Sequence, residues 1–228
     1  QKNILNDINS ALINTYLMIR DKPNELVEFL KDEQALKERH AWYKNEFKPS
    51  NDLERAGRWY YLNRTSYSGI MNPKNCYWGY GDKYSMRPEN WGRNILRTSL
   101  KLQDVQFFNI DFEKIIDQAP DNAFLFIDPP YFNADQDKFY TYSFCHDDHL
   151  RLQQCLLRNR HRLKFLITYD NSLEIRELYQ WAHTIVDKEW NYTINRTDDQ
   201  TKHKTKEGQK TNRYKGKEIF ITNYDFAI

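Results

Sequence analysis

Phe124-Leu125-Phe126-Ile127-Asp128-Pro129-Pro130-Tyr131 is the stretch on which the reading of the chain turns. Four large apolar residues look like a buried strand, and an acid and two prolines follow directly. Proline fixes φ and has no amide hydrogen, so Pro129 and Pro130 continue neither a helix nor a central ladder. The strand must stop at Asp128. Ligands of open α/β sheets bind outside the carboxyl ends of the strands. The turn therefore presents a carboxylate, backbone carbonyls with no competing amide hydrogens, and the ring of Tyr131. Such a set can hold a planar amino-heterocycle by its exocyclic NH2 and stack on its face. The bland alternative is a Pro-Pro turn after a core strand.

Outward from this octet the chain alternates strands and helices. Towards the carboxyl end, 147–160 has the spacing of an amphipathic helix, with Leu150, Leu152, Leu156 and Leu157 facing a core. A strand over 165–169 ends at Asp170, helix 173–181 follows, and 184–186 is a short strand. The segments 190–194 and 218–224 read as a closing hairpin. Towards the amino end, a helix over 113–118 is preceded by the strand 105–112, which contains Asp111. The first strand runs through Ile4-Leu5-Asn6-Asp7. Helices are expected from Ser10, from Pro23, over 34–47 and over 53–63. Alternation of this kind implies a mostly parallel sheet, with an antiparallel strand added by the terminal hairpin. Residues 64–98 differ: they are dense in Gly, Asn, Pro, Tyr and Trp and read as a long irregular loop of functional character.

Composition narrows the classes. The chain has 228 residues, 39% hydrophobic and 29% charged, which suits one α/β domain with an insertion. No apolar run approaches the ~20 residues of a membrane span, and no signal-peptide pattern is present. Cys76, Cys145 and Cys155 lack metal-ligand spacing and read as free thiols of a reducing, cytoplasmic compartment. Net charge is only +2, but 196–217 holds eight Lys/Arg against three Asp/Glu, and 16 Tyr and 6 Trp contribute to an aromatic content of 15%. Basic and aromatic residues together suit a surface that grips phosphates and stacks bases; a solvated loop is the plain alternative. His146-Asp147-Asp148-His149 reads as a helix start favourable to the dipole rather than a metal cluster.

Two further strand-end acids matter. In nucleoside-binding α/β folds an acid after the second strand commonly binds ribose hydroxyls, and with a native segment expected upstream of Gln1, Asp7, with Ile8 beside it, is placed for that. Asp111 stands at the next strand end, placed for an adenine amine, with Phe112 beside it as a stacking surface.

Asp128-Pro129-Pro130-Tyr131 matches the Asp-Pro-Pro-Tyr motif of amino-methyltransferases. With Asn6-Asp7-Ile8-Asn9, Tyr61-Leu62-Asn63-Arg64, Tyr67-Ser68-Gly69, Asn109-Ile110-Asp111-Phe112, Phe139-Tyr140 with Phe144, Leu166-Ile167-Thr168-Tyr169-Asp170 and Glu218-Ile219-Phe220-Ile221-Thr222-Asn223-Tyr224, the chain resembles the Dam-type DNA adenine-N6 methyltransferases over nearly its whole length. The resemblance implies a Rossmann-like class I methyltransferase sheet plus a helical and irregular DNA-recognition insertion. The catalytic domain would span 1–18 and 99–228, and the insertion 19–98. It implies S-adenosylmethionine as cofactor, held by Asp7, Ile8, Asp111, Phe112 and Asp128, and no metal. Asp128, Pro129, Pro130 and Tyr131 would be catalytic, with Tyr131, Phe139 and Tyr140 stacking on a flipped adenine. Double-stranded DNA would be met by Arg64, Tyr67, Ser68, Lys74, Arg87, Arg93 and, in the basic loop, Lys204, Lys206 and Lys210. A restriction endonuclease reading the same site is a further implied partner.

The chain departs from the family in two places. A glycine-rich FxGxG cofactor loop belongs just upstream of residue 1, and no segment here replaces it. The run from Arg64 to Asn72 differs from that of members reading GATC. The competing readings are a non-catalytic DNA-binding fragment or degenerate methyltransferase, and the same chemistry on cytosine N4, RNA adenine or a protein amide. Asp, rather than Ser or Asn, at position 128 favours adenine.

Overall fold

The computed structural model describes residues 2–191 and 215–225. The basic loop with Lys204, Lys206 and Lys210, and the distal part of the expected 190–194 strand, lie outside the described residues. The chain divides into two compact units, Gln1–Ile115 with Asp135–Phe144, and Ile116–Ala134 with Cys145–Ile228.

In the first unit, β1 (Asn3–Asn6) lies parallel to β2 (Val105–Phe108), from Asn3↔Val105 to Asn6↔Phe108. Parallel strands need a crossover, and here five helices intervene in sequence. α1 (Ser10–Asp21) starts where the Asn9 side chain accepts the amides of Ala11 and Leu12, satisfying donors that a helix start leaves open. Its Tyr16 stacks on Phe107 at 5.8 Å and 11°. α2 (Pro23–Leu30) opens on proline, whose missing amide has no helical partner to lose there. α3 (Lys37–Asn45), α4 (Asp52–Thr65) and α5 (Trp91–Leu102) follow, then α6 (Phe112–Gln118), which runs on into the second unit, and the single turn α7 (Gln136–Phe139).

The helical core of this unit is aromatic as much as aliphatic: Tyr43, Tyr60, Tyr61 and Trp91 pack with Leu26, Leu30 and Ile95. Burying tyrosine requires an outlet for the hydroxyl. Tyr43 donates to Glu33 Oε1 at 2.6 Å and Tyr61 to the Gln34 carbonyl at 2.7 Å. Burial, with the Glu33 carboxylate behind it, drives the Tyr43 phenol well above its usual range. The irregular segment expected to reach residue 98 ends at residue 90, because Trp91, Ile95 and Ser99 bury one stripe of α5. A Trp-Gly-Arg-Asn start hides that stripe.

In the second unit, β3 (Phe124–Ile127), β4 (Lys164–Asp170), β5 (Thr184–Asn191) and β6 (Lys215–Thr222) form one sheet in the order β3-β4-β6-β5. β3 and β4 are parallel, and β6 is antiparallel to both its neighbours, as the sequence pattern led us to expect. β5 is a single strand from Thr184 to Asn191, where the sequence had suggested two short ones with a break between. α8 (His146–Asn159) and α9 (Leu173–Leu178) supply Leu152, Leu156 and Ile175, buried together with Phe165, Ile167 and Tyr169 of β4. One expectation is corrected: β3 is not buried on both faces. Phe124 and Phe126 are 57% and 64% exposed, because alternation along β3 turns these two to one face while Leu125 and Ile127 turn to the other. No described helix is long and apolar enough to cross a membrane.

Candidate active site and nucleic-acid surface

In the second unit the prolines end β3, leaving Asp128 exposed while Pro129 is buried. The Thr168 hydroxyl donates to Asp128 Oδ1 at 2.5 Å. Tyr131 is half-buried, and its carbonyl accepts the Ala134 amide at 3.2 Å, closing a turn. Behind it, Asp170 accepts the amides of Phe132 (2.7 Å) and Asn133 (3.2 Å) and the Asn133 side-chain amide (2.8 Å). The Phe132 ring lies 5.1 Å from His149. Both Thr168 and Asp170 come from β4, and neither role was read from the sequence. The available signal was that a fourth strand-end acid follows Thr168 two residues later.

His149 is buried and hydrogen-bonded through Nδ1 to the Tyr169 hydroxyl at 2.8 Å. Burial lowers its pKa, with the Asp170 charge opposing. In the first unit His40, on Thr65 Oγ1 at 2.8 Å, is likewise lowered by burial. Both start from an ordinary value of 6.5. The unfolded chain therefore takes up protons below that pH while the folded one refuses them, so acidification favours unfolding. We expect urea midpoints to fall from pH 7.5 to 5.5, and His149→Gln to show a shallower fall. A flat profile, or one that rises on acidification, would contradict this. His146-Asp147-Asp148-His149 is the first turn of α8, with Asp148 accepting the Cys145 amide at 2.9 Å. Among the described residues no His/Cys/Asp/Glu group could hold a metal.

In the first unit, two asparagines stitch the strand ends. Asn6 exchanges two hydrogen bonds with the Ile110 backbone, at 3.0 and 3.1 Å. Asn109 Nδ2 donates to the carbonyls of Asp7 and Ile8, both at 2.8 Å. Asp7 and Asp111 thus stand at adjacent strand ends. Asp7 Oδ1 accepts the Asn9 amide at 2.7 Å and Asp111 Oδ1 that of Glu113 at 2.9 Å. Ile8 is exposed, and Phe112 tilts against Phe144 at 5.7 Å.

The same unit holds the irregular segment after α4. Ser66 bridges Trp78 antiparallel, the Tyr67 amide donates to the Tyr77 carbonyl at 2.9 Å, and the Gly79 amide to the Thr65 carbonyl at 3.0 Å. Gly79 is required there: a Cβ would sit 2.2 Å from Tyr67 Cα. At the turn, Ser68 and Gly69 take φ of 52° and 68°, leaving Tyr67 41% exposed. Arg64 lies over the Tyr60 ring at 5.2 Å, and its buried Nε has no hydrogen-bond partner. Lys74, Arg87 and Arg93 are exposed. Asn72 Nδ2 donates to the carbonyls of Asp137 (2.9 Å) and Tyr140 (2.6 Å), and Asn75 Nδ2 to that of Asp137 (3.1 Å). The irregular segment therefore anchors the stretch carrying Phe139 and Tyr140, both half-buried.

Acids at the ends of parallel strands, a proline-terminated strand and an antiparallel last strand inserted before its hairpin partner make this a Rossmann-like methyltransferase fold of class I. The family model described as D12 class N6 adenine-specific DNA methyltransferase matches residues 1–194. The chain belongs to that family. It is 27% identical to the type II methyltransferase M1.LlaDCHI of Lactococcus lactis subsp. cremoris, across 98% of this chain and 80% of that protein. It is 27% identical to the DNA adenine methylase of Escherichia coli K12, across 78% and 68%. It is 29% identical to the DNA N-6-adenine-methyltransferase of Escherichia phage P1, across 78% of this chain but 25% of that larger protein.

Proposed function

We propose that the chain methylates N6 of an adenine flipped from duplex DNA, using S-adenosylmethionine. The observation that carries the reading is the Asp128 carboxylate: exposed at the end of a proline-stopped strand, with Oδ1 held by Thr168 and Oδ2 left for an incoming N–H. The adenine N6 lone pair is delocalised into the ring. An acceptor at Asp128 Oδ2 and a second at the Pro129 carbonyl favour a pyramidal nitrogen whose lone pair can be aimed. Pro130 stiffens the turn, and Tyr131 offers a face to the extruded base. Phe139 and Tyr140, eight and nine residues further along, are the other stacking candidates.

Asp7 and Asp111 suit the cofactor's nucleoside. Each has a carboxylate oxygen engaged by a local amide, which fixes the group at the end of its strand. Ile8 and Phe112 add apolar surface. Bound there, S-adenosylmethionine would supply a methyl group on a cationic sulfur, already activated. The protein's task is then alignment and exclusion of water. Domain roles follow: 1–18 and 99–228 catalytic, 19–98 reading DNA through Arg64, Tyr67, Ser68, Lys74, Arg87 and Arg93, with Lys204, Lys206 and Lys210 on backbone phosphates. A type II relative suggests an endonuclease reading the same site, and the free thiols a reducing cytoplasm.

The test is the product. Duplex DNA incubated with the protein and labelled S-adenosylmethionine, then digested to nucleosides, should yield N6-methyldeoxyadenosine by mass. N4-methyldeoxycytidine would move the substrate to cytosine. DNA binding with no label transferred would make the chain a non-catalytic relative.

A further inference from the structure

We infer that Thr168 is a positioning residue for the methyl-transfer step, acting through Asp128; the inference rests on the role given to Asp128 above. The last paired residues of β3 and β4 are Ile127 and Ile167. Parallel register therefore brings positions 128 and 168 side by side at the point where the prolines break the ladder. β4 continues three residues beyond that last pair, to Asp170, and supplies from its own side chains what the broken ladder no longer can.

An exposed aspartate is free to rotate its carboxylate, because the terminal torsion of Asp is broad. Thr168 is only 8% exposed and β-branched, so its hydroxyl direction is set by the β4 backbone. Its 2.5 Å bond to Oδ1 fixes the plane of the carboxylate and leaves Oδ2 as the open acceptor. Asp170, two residues on and of the same strand parity, holds the amides of Phe132 and Asn133 immediately behind Tyr131. Tyr169 between them is fully buried and bonded to His149, so β4 cannot rotate to release either group. Both ends of the Asp-Pro-Pro-Tyr turn are thus fixed from one neighbouring strand. A carboxylate already oriented does not have to be ordered when the amine arrives, so loss of the hydroxyl should act on turnover rather than on DNA binding.

The experiment compares Thr168→Val, which keeps the shape and removes the hydroxyl, with Thr168→Ser, which keeps the hydroxyl. Thr168→Val should lower kcat about 10- to 100-fold, with KM for duplex DNA and the thermal midpoint near those of the parent. Thr168→Ser should recover most of the rate. A second readout needs no turnover. In protein labelled with 13C at aspartate carboxylates, the Asp128 signal, assigned by its loss in Asp128→Asn, should move in Thr168→Val and stay in Thr168→Ser. A Thr168→Val enzyme with parental kcat, or valine and serine variants equally impaired, overturns the inference. If Thr168→Val is silent while Asp128→Ala is dead, only the role of Thr168 fails. If Asp128→Ala still transfers methyl groups, the reading of the site fails and takes this inference with it.

Discussion

Asp128→Ala should lower methyl transfer by about a thousandfold or more, because it removes the acceptor proposed to set the amine's geometry. DNA affinity should stay within a few-fold. Asp128 is one exposed carboxylate, and its loss removes a negative charge rather than a phosphate contact. Single-turnover rates of label transfer, beside anisotropy titrations with fluorescent duplex, separate the two quantities. Asp128→Asn should be intermediate, since its single amide oxygen can meet either the Thr168 hydroxyl or the incoming N–H, and its NH2 is a donor at the other position. An alanine variant with parental single-turnover rates would remove the carboxylate from the mechanism. One that loses DNA affinity in parallel with rate would make Asp128 a binding residue instead.

Trp91→Ala should cost the helical unit about 3–5 kcal/mol. Trp91 is the largest fully buried side chain among the described residues, 1% exposed, with its ring edge-on to Tyr61 at 5.6 Å and to Tyr60 at 6.0 Å. Its Nε1 donates to the Met86 carbonyl at 2.9 Å, so the variant also strands an acceptor. That bond ties α5 to the segment just before it, and this segment should loosen along with the core. Urea unfolding followed by far-ultraviolet circular dichroism gives the first effect, and protease cleavage after Lys83 or Arg87 the second. A loss below about 1 kcal/mol would mean that the cavity collapses without cost, which the close-packed aromatic neighbours argue against.

How far the sequence could be read depended on the range of the forces involved. The Asp-Pro-Pro-Tyr turn was legible because proline's effect is local and absolute: it stops β3 wherever the strand sits. The strand-end acids and α8 were legible from period and position. The start of α5 was not. Trp91-Gly92-Arg93-Asn94 has poor helix propensity, and only packing of Trp91 and Ile95 against residues far away in sequence makes it helical. The exposure of Phe124 and Phe126 was hidden for the converse reason, since an apolar run cannot say which of its faces is covered. The acids at 7, 111 and 128 could be named from sequence as proposed site residues. Their holders could not, because Asn6, Asn109, Thr168 and Asp170 act across strand pairs whose register appears only in three dimensions.

The asparagine stitches bear on how a nucleoside would be received. Asn6 and Asn109 join the tails of two strands about a hundred residues apart in sequence, so Asp7 and Asp111 ride on one stiff yoke and cannot drift separately. A clamp whose jaws are already held together spends little of a guest's affinity on closing, and in the proposed role tightness there should depend more on the spacing of the two acids than on the strength of either.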